Sequence, residues 1–310
     1  MYLVTGGAGF IGRHIVKYLV DDGAAVRVLD NFETGKEANL EEMNGRFELV
    51  RGDLRDLDTV RGAVDGCEVV LHQGALGSVP RSVDDPLTSH HVNITGTLNC
   101  LIAARESKVR RFVFAASSAA YGESTTLPKI ESMAPAPISP YAISKVSGEQ
   151  YCVVFNKLYG LETISLRYFN VFGSFQDPQS QYAAAIPKFV TAILGNQAPE
   201  VFGDGEQSRD FTYIDNVVQA NMLAVRAPRV SGEVVNIACG EAVTVNQIIG
   251  RINQLLGKDV KSRHIAERPG DVRHSLASID EARRVIAFEP TIGFDEGLTR
   301  AIDWYKLNRG

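Results

Sequence analysis

The stretch that decides the fold is MYLVTGGAGFIG, residues Met1–Gly12. Tyr2–Thr5 is a short apolar run that predicts a strand, and helical spacing begins directly after the glycines. In that position the spacing Gly7-x-Gly9-x-x-Gly12 is the dinucleotide-binding fingerprint, because its glycines allow a tight turn and close approach to a pyrophosphate. The free N–H groups of the helix start then attract the phosphates. The residues predicted to contact the dinucleotide here are Gly6, Gly9, Phe10, Ile11 and Gly12.

Strand-like and helix-like segments alternate through the first half of the chain. The predicted strands are 2–5, 25–30, 47–51, 68–72, 111–115 and 163–167. The predicted helices between them are 11–22, 59–65, 91–107 and 140–159. This alternation predicts an α/β fold with a Rossmann-type doubly wound parallel sheet. Beyond about residue 170 the loops lengthen, which predicts a smaller α/β region that is partly threaded back into the sheet.

Composition excludes several classes of function. The chain has 310 residues, of which 45% are hydrophobic, and a net charge of −5, so a nucleic-acid surface is not expected. It contains no apolar run of about 18 residues that would span a membrane and starts with no signal peptide, so we expect a cytoplasmic protein. The cysteines are too far apart for a zinc site, so we expect buried reduced thiols and no metal: Cys67, Cys100, Cys152 and Cys239.

Asp30 ends the second predicted strand, about 20 residues after the glycines, where the fingerprint has its acidic residue. A carboxylate there accepts hydrogen bonds from the adenosine ribose and repels a 2′-phosphate, so NAD is favoured over NADP. Asn31, which follows it, is also predicted to contact the cofactor. The alternative is a turn formed by Asp30 and Asn31. Asp53 and Leu54 follow the third strand, where they either meet the adenine or form a turn.

Tyr141 and Lys145 lie four residues apart in a predicted helix that begins with Ser139 as N-cap and Pro140 at the first position. They therefore share one helix face, where an ammonium would lower the pKa of the phenol and make it a usable base. A surface pair of no function is the alternative. The hydroxyls of Ser117 and Ser118 follow the fifth strand, at the sheet edge where ligands bind in doubly wound folds.

Together these segments resemble the extended short-chain dehydrogenase/reductase family, in its nucleotide-sugar-modifying branch. The resemblance rests on TGGAGFIG (Thr5–Gly12), YAISK (Tyr141–Lys145), LRYFN (Leu166–Asn170), RDFTYIDNV (Arg209–Val217) and RPGDVRHS (Arg268–Ser275). It implies bound NAD, a UDP-sugar substrate and a Ser/Tyr/Lys centre. It also implies a NAD-binding Rossmann domain of residues 1–168 and 212–238 and a UDP-sugar-binding domain of residues 169–211 and 239–310.

The resemblance implies a role for individual residues. Ser117 would hydrogen-bond the 4-oxygen of the sugar, Tyr141 would be the base, and Lys145 would hold the nicotinamide ribose. Further cofactor contacts would be Gln73, Ala75 and Tyr168. The residues near the diphosphate or nucleotide would be Asn170, Arg209, Arg268 and Asp271. The residues around the hexose would be Gly77, Ser78, Ser118, Asn170, Ala184 and Ser275.

The residues after Ser117 indicate the reaction. Relatives that dehydrate or decarboxylate the sugar have an acidic residue just after the catalytic hydroxyl, whereas this chain has Ser118 and Ala119. The expected reaction is therefore epimerisation at carbon 4 through a 4-keto intermediate, without net oxidation. The alternatives are a 4,6-dehydratase or decarboxylase, and a regulator that binds NAD or a UDP-sugar without catalysis.

The predicted hexose pocket is lined by small residues, above all Ser275, where enzymes limited to glucose and galactose often have tyrosine. An acetamido group needs the space that a tyrosine would fill. We therefore expect conversion of UDP-N-acetylglucosamine to UDP-N-acetylgalactosamine, with weaker UDP-glucose and UDP-galactose activity. A UDP-glucose 4-epimerase with little preference for acetylated sugars is the alternative, since small residues also suit tight loops.

Family members pair through the helices at 91–107 and 140–159, so the resemblance implies a homodimer with a four-helix contact. Apolar residues on these helices exceed the number needed to cover one sheet face. They are Leu98, Leu101, Val153 and Val154.

Overall fold

The computed structural model describes residues 1–178, 185–266 and 273–308. In these residues the strands are β1 (Tyr2–Thr5), β2 (Val26–Asp30), β3 (Glu48–Arg51), β4 (Val69–His72), β5 (Arg111–Ser117), β6 (Glu162–Tyr168), β7 (Val171–Phe172), β8 (Glu200–Phe202), β9 (Ser208–Asp210), β10 (Thr212–Tyr213), β11 (Glu233–Ile237), β12 (Ala242–Thr244) and β13 (Arg263–Ile265). The helices are α1 (Phe10–Asp21), α2 (Leu57–Val64), α3 (Val79–Asp84), α4 (Pro86–His90), α5 (Gly96–Glu106), α6 (Pro140–Tyr159), α7 (Ala185–Leu194), α8 (Ile214–Arg226), α9 (Val245–Leu256), α10 (Asp280–Ile286) and α11 (Phe294–Leu307).

Seven strands form one parallel sheet in the order β11-β6-β5-β4-β1-β2-β3. The strand order changes direction between β1 and β4, and ligands of doubly wound sheets bind at the carboxyl ends of the strands around such a point. The predicted fold class is thus confirmed. The register of β5 and β6 sets Ser117 beside Tyr168 at this edge.

Both faces of the sheet are buried, as the continuous apolar strands predict. Successive side chains point to opposite faces, so on β1 Leu3 packs with one hydrophobic cluster and Val4 with the other. The cluster around Leu3 includes helices α2, α5 and α6. The cluster around Val4 includes α1 and α8 and continues into α7, α9 and α11. One apolar core thus runs through both halves of the chain, and the division into two ligand-binding domains stays a prediction.

The predicted helix at 140–159 is confirmed, because its local signals operate as expected. The Oγ of Ser139 accepts a hydrogen bond from the N–H of Ala142 at 3.1 Å, and Gly160 ends the helix in the left-handed conformation. The predicted helix at 91–107 starts earlier, at Pro86, where the Asp85 carboxylate caps the N–H of Thr88. It passes through a π turn at His91–Thr95 before continuing as α5.

Two expectations about buried residues need correction. Leu101, predicted for the contact between copies, is fully buried within its own subunit between α5 and the sheet. Cys239 is half-buried, whereas the other three cysteines are buried as expected. Within the described ranges, none of the helices has the length and apolar character needed to cross a bilayer.

Candidate active site

The glycine loop has the geometry that its spacing predicts. Gly6 has a φ of +65°, and a Cβ on Gly12 would lie 2.1 Å from the carbonyl oxygen of Gly6. A side chain at Gly12 would therefore clash with the loop and push it away from α1. Gly9 is the N-cap of α1, so the first N–H groups of this helix are free of side-chain caps and available to a phosphate.

Asp30 lies at the end of β2 and is buried beside the loop. One carboxylate oxygen accepts a hydrogen bond from the N–H of Ala8 at 2.9 Å, and the other accepts from the N–H of Phe32 at 2.8 Å. Burial raises the pKa of this carboxyl, and the two hydrogen bonds oppose that shift. Each oxygen can accept a further hydrogen bond, as contact with ribose hydroxyls requires.

Asp53 has the features of both of its predicted roles. Its carboxylate accepts two hydrogen bonds from the guanidinium of Arg55, at 2.8 and 2.6 Å, and one from the amide of Asn31 at 2.9 Å. It also accepts from the N–H of Arg55, which is the turn geometry. The hydrogen bonds with Arg55 hold the pKa of Asp53 well below its usual range. Asp53 and Leu54 nevertheless line the cavity next to the glycine loop.

This cavity has a volume of about 970 Å³ and extends along the carboxyl edge of the sheet. Every residue that the sequence predicted for the cofactor lines it: Gly6, Gly9, Phe10, Ile11, Gly12, Asp30, Asn31, Asp53, Leu54, Gln73, Ala75, Tyr141, Lys145 and Tyr168. Gly77 lines it as well. The open glycine loop, the uncapped helix start and the buried carboxylate of Asp30 together fit a dinucleotide such as NAD.

A buried hydrogen-bond network fixes one end of this cavity. The amide nitrogen of Asn221 on α8 donates to the hydroxyl of Tyr168 at 2.8 Å, and the Asn221 oxygen accepts from the amide of Gln73 at 3.2 Å. The Tyr168 hydroxyl also lies 3.3 Å from the Gln73 oxygen. Burial raises the pKa of Tyr168 to about 12, so its hydroxyl stays a donor at neutral pH. Asn221 was not found from the sequence, since one asparagine in an amphipathic helix carries no signal.

Ser117, Tyr141 and Lys145 come together where β5 ends and α6 begins. The ammonium of Lys145 donates to the carbonyl oxygen of Ala115 at 2.8 Å and lies 5.8 Å from the centre of the Tyr141 ring. The hydroxyls of Tyr141 and Ser117 share a hydrogen bond. The predicted common face is therefore present.

In the protein without its ligands, burial opposes the predicted effect of Lys145 on the tyrosine, and that effect stays a prediction. Burial raises the pKa of Tyr141, and only the hydrogen bond with Ser117 opposes that shift. Burial also lowers the pKa of Lys145 to about 8. The cost of removing each charge from water outweighs the attraction that the sequence spacing suggested.

Further residues that position Tyr141 were missed by the sequence analysis. The Oγ of the buried Ser82 on α3 accepts a hydrogen bond from the N–H of Tyr141 at 3.0 Å. Asn93, in the π turn, donates to the Oγ of Ser144 at 3.1 Å and accepts from the N–H of Leu76 at 2.8 Å. A π turn is often found at a functional site, but its presence is not readable from local sequence.

A second cavity of about 760 Å³ lies beyond the end of β6. Tyr168, the last residue of β6, lines the first cavity, whereas Asn170 and Arg209 line the second. Four phenylalanines and three cationic residues contribute to its wall: Phe172, Phe189, Phe202, Phe211, Lys188, Arg209 and Arg263. An apolar wall with several cations suits a flat base joined to a diphosphate.

The predicted hexose residues are placed as follows. The Oγ of Ser275 lies 3.4 Å from the amide nitrogen of Asn170. Ser78 caps α3 by accepting from the N–H of Arg81, and Ser118 begins a 3₁₀ turn directly after Ser117. Three predicted residues lie outside the described part of the chain: Ala184, Arg268 and Asp271.

Three proteins illustrate the similarity to known enzymes. A UDP-N-acetylglucosamine 4-epimerase from Methanobrevibacter ruminantium M1, solved with UDP-N-acetylmuramic acid, is 41% identical, with a TM-score of 0.95 over 99% of this chain and 98% of that chain. A UDP-glucose 4-epimerase from Thermus thermophilus, solved with NAD, is 35% identical, with a TM-score of 0.91 over 99% of each chain. The UDP-glucose 4-epimerase of Mycolicibacterium smegmatis is 35% identical over 98% of each chain.

Enzymes of other reactions also match, at 30% identity. They include a UDP-N-acetyl-alpha-D-glucosaminuronate decarboxylase from Bacillus cytotoxicus and a dTDP-glucose 4,6-dehydratase from Streptomyces venezuelae. The relatives of higher identity named above are UDP-sugar 4-epimerases, which are isomerases. The chain is accordingly an isomerase. Residues 2–238 match the NAD dependent epimerase/dehydratase family, whose cofactor fits the first cavity. The chain belongs to the NAD-dependent epimerase/dehydratase family.

Proposed function

We propose that the protein interconverts UDP-N-acetylglucosamine and UDP-N-acetylgalactosamine by epimerisation at carbon 4. The observation that carries this proposal is the Ser117–Tyr141–Lys145 centre, whose Tyr141 and Lys145 line the cofactor cavity, together with a second cavity lined by Arg209. UDP-glucose and UDP-galactose are weaker substrates in this proposal.

We assign the catalytic roles of the three side chains as the family resemblance implies. Tyr141 takes the proton of the 4-hydroxyl and later returns it, while Ser117 hydrogen-bonds the same oxygen. Lys145 supplies positive charge beside the phenol and holds the ribose of the cofactor. Bound NAD would supply reversible hydride transfer at carbon 4, which would allow the configuration to invert through a 4-keto sugar without net oxidation. Burial disfavours the phenolate of Tyr141, whereas the hydrogen bond with Ser117 stabilises it. In this proposal that hydrogen bond therefore helps Tyr141 to act as the base.

The second cavity would take the uridine diphosphate. We assign the diphosphate to Asn170, Arg209 and Arg268, and the nucleotide to Asp271, as the family resemblance implies. Guanidinium groups form paired hydrogen bonds with phosphate oxygens, which supports this role for the arginines.

Epimerisation is favoured over the other reactions of the family. Dehydration or decarboxylation needs an additional acid or base beside the hydroxyl residue, and Ser118 and Ala119 supply neither. A regulator without catalysis would have no need of a tyrosine hydrogen-bonded to Ser117 beside a buried Lys145.

The preference for acetylated sugars rests on small side chains in the proposed hexose pocket. They are Gly77, Ser78, Ser118, Ala184 and Ser275. The 41% identity to a UDP-N-acetylglucosamine 4-epimerase supports this preference. The UDP-glucose 4-epimerases at 35% identity favour the alternative, an enzyme with little preference between the two kinds of sugar.

We also propose a homodimer. Five apolar side chains on α3, α4 and α6 are 42% to 68% exposed: Val83, Leu87, Ile143, Val154 and Leu158. An apolar face of this kind on neighbouring helices suits a four-helix contact between two copies. Sedimentation of a monomer alone at micromolar concentration would contradict this assembly.

One experiment tests the proposed function directly. Purified protein is incubated with UDP-N-acetylglucosamine, and the products are followed by proton NMR. We expect UDP-N-acetylgalactosamine of unchanged mass and no accumulation of NADH. A product of lower mass would instead indicate dehydration or decarboxylation, and no conversion of any UDP-hexose by NAD-loaded protein would contradict the proposal.

A further inference from the structure

A buried ion pair lies directly behind the catalytic side chains. Glu149 is on α6, one turn after Lys145, and both of its carboxylate oxygens accept hydrogen bonds from Arg167 on β6, each 2.8 Å long. Glu149 is fully buried and Arg167 is 3% exposed. Burying two charges costs several kcal/mol per ion, so stability alone is a weak reason for such a pair.

Arg167 links this pair to the turn that follows Ser117. Its guanidinium carbon lies 4.7 Å from the centre of the Tyr121 ring, and Tyr121 ends the 3₁₀ turn that begins directly after Ser117. The Tyr121 hydroxyl donates to the side-chain oxygen of Asn236 on β11 at 2.7 Å. The Nη1 of Arg167 is buried without a hydrogen-bond partner in the described ranges, so the guanidinium is not used to its full bonding capacity.

We propose that Glu149 and Arg167 are positioning residues for the Ser117–Tyr141–Lys145 centre, and that the carboxylate of Glu149 keeps Lys145 in its charged form. The ion pair fastens α6, which carries Tyr141 and Lys145, to β6 and to the turn after Ser117. This inference rests on the proposed function, in which Lys145 acts as a cation beside Tyr141.

The electrostatic part of the proposal follows from helix geometry. Residues four apart on a helix have Cβ atoms about 5–6 Å apart, so Glu149 is a near neighbour of Lys145. The negative charge of Glu149 raises the pKa of Lys145, against the burial that lowers it to about 8. Arg167 donates to both oxygens of Glu149, so its positive charge partly cancels the field of the carboxylate. Loss of Glu149 should therefore make Lys145 easier to deprotonate, whereas loss of Arg167 should make it harder.

Other titratable groups surround the three residues. They are His72 on β4 and Tyr141 beside Lys145, Cys152 beside Glu149, and Tyr121 and Glu131 beside Arg167. Burial lowers the pKa of His72 to about 3, so it stays neutral near pH 8. Burial also raises the pKa values of Tyr121, Tyr141 and Cys152, so these groups are neutral there as well. Glu149 is thus the charged group whose removal has the most direct effect on the pKa of Lys145.

The test titrates Lys145 directly in NAD-loaded protein. Lysine labelled with ¹³C at the ε carbon is followed by NMR between pH 6 and 11, with Lys145→Met to identify the signal. We expect Glu149→Gln to lower the pKa of Lys145 and Arg167→Gln to raise it, each by about 1–2 pH units for a neighbouring charge in a medium of effective dielectric constant about 20. The alkaline limb of kcat/KM should shift in the same two directions.

The chain offers a matched control. Arg111 and Glu162 form a second ion pair on β5 and β6, at the opposite end of these strands, where Arg111 also donates to carbonyl oxygens at the end of α8. Glu162→Gln should leave the titration of Lys145 and the pH profile unchanged. Equal shifts in Glu149→Gln and Glu162→Gln, or shifts of one sign in Glu149→Gln and Arg167→Gln, would overturn the proposal.

Two further variants keep the test decisive if the single uncharged variants do not fold. Arg167→Lys keeps the charge but loses the paired geometry, so it should leave the pKa of Lys145 unchanged while lowering kcat. The double variant Glu149→Gln/Arg167→Gln removes both charges and should lower the pKa of Lys145 less than Glu149→Gln does. A double variant with wild-type titration and an Arg167→Lys variant with wild-type kcat would refute the inference. Wild-type protein without epimerase activity would refute the proposed function instead, and the NMR titration would still measure the coupling.

Discussion

The ammonium of Lys145 donates a hydrogen bond to the carbonyl oxygen of Ala115, two residues before Ser117 on β5. This contact ties the catalytic helix to the strand that ends in the catalytic serine. The amine is also buried, and this burial lowers the pKa of Lys145 to about 8. The cation on which the proposed reaction depends is therefore lost within an accessible range of pH.

We accordingly predict that kcat/KM falls as the pH rises above about 8. Below that pH, Lys145 keeps its proton and its charge; above it, the neutral amine no longer stabilises negative charge on Tyr141. The measurement is kcat/KM for UDP-N-acetylgalactosamine from pH 6 to 10, with NAD content checked at each pH. A profile that stays flat to pH 10 would contradict this assignment.

Tyr141→Phe should lower turnover by about 10²–10⁴-fold, because only the oxygen that moves the proton is removed. Bound NAD and the affinity for UDP should be retained, since the ring still fills its place. Tyr159→Phe on the exposed end of the same helix is the control and should have wild-type activity. Undiminished activity of the Tyr141→Phe variant would exclude Tyr141 as the base.

Asp30→Ala should weaken the retention of NAD and reduce the discrimination against NADP. The carboxylate holds the N–H groups of Ala8 and Phe32 and repels a 2′-phosphate. The measurement is the NAD content of the purified variant, together with the rise in melting temperature on addition of NAD or NADP. Asp21→Ala, at the exposed end of α1, is the control. Equal retention of NAD by the Asp30 variant and wild type would refute the cofactor assignment.

Ser82→Ala should lower the free energy of unfolding by about 1–3 kcal/mol, because it leaves the N–H of Tyr141 without its buried acceptor. The start of α6 would also lose a positional restraint, so kcat should fall as well. Ser147→Ala on the same helix removes a hydroxyl that bonds only within the helix and should change stability by less than about 0.5 kcal/mol. Equal urea midpoints for the two variants would contradict the role of Ser82.

The features that the sequence predicts correctly are those with local causes. The turn at Gly6, the close approach of Gly12 and the cap at Ser139 depend on a few neighbouring residues, so their patterns suffice. The seven-stranded sheet follows from apolar strands alternating with helices, although β11 enters it from the second half of the chain.

The features that the sequence does not predict depend on contacts between distant segments. Asn93 and Asn221 are single polar residues on helices, and their bonds to Ser144 and Tyr168 exist only once the helices pack on the sheet. The pKa of Tyr141 is raised rather than lowered for the same reason, since burial is a property of the whole fold. Spacing along α6 shows which groups are close but not how much water they lose.

The substrate preference is open to a test by volume. Ser275 is half-buried, its N–H donates to the carbonyl oxygen of Ser208 at 3.0 Å, and its Oγ lies 3.4 Å from the amide of Asn170. The backbone there is held by β9, so we expect a larger side chain to extend towards the proposed hexose pocket rather than move the loop. Ser275→Tyr should therefore abolish turnover of UDP-N-acetylgalactosamine while sparing UDP-galactose, because the ring occupies the space of the acetamido group.

Ser275→Ala separates volume from hydrogen bonding, since it removes the hydroxyl without filling the pocket. We expect this variant to keep the preference of the wild type for acetylated sugars. The measurement is kcat/KM for both sugars in all three proteins. The pocket assignment fails if wild type turns over UDP-galactose with the higher kcat/KM, or if the tyrosine variant loses activity on both sugars alike. In either case the space beside Ser275 does not hold the acetamido group, and the enzyme is a 4-epimerase whose preference is set elsewhere in the pocket.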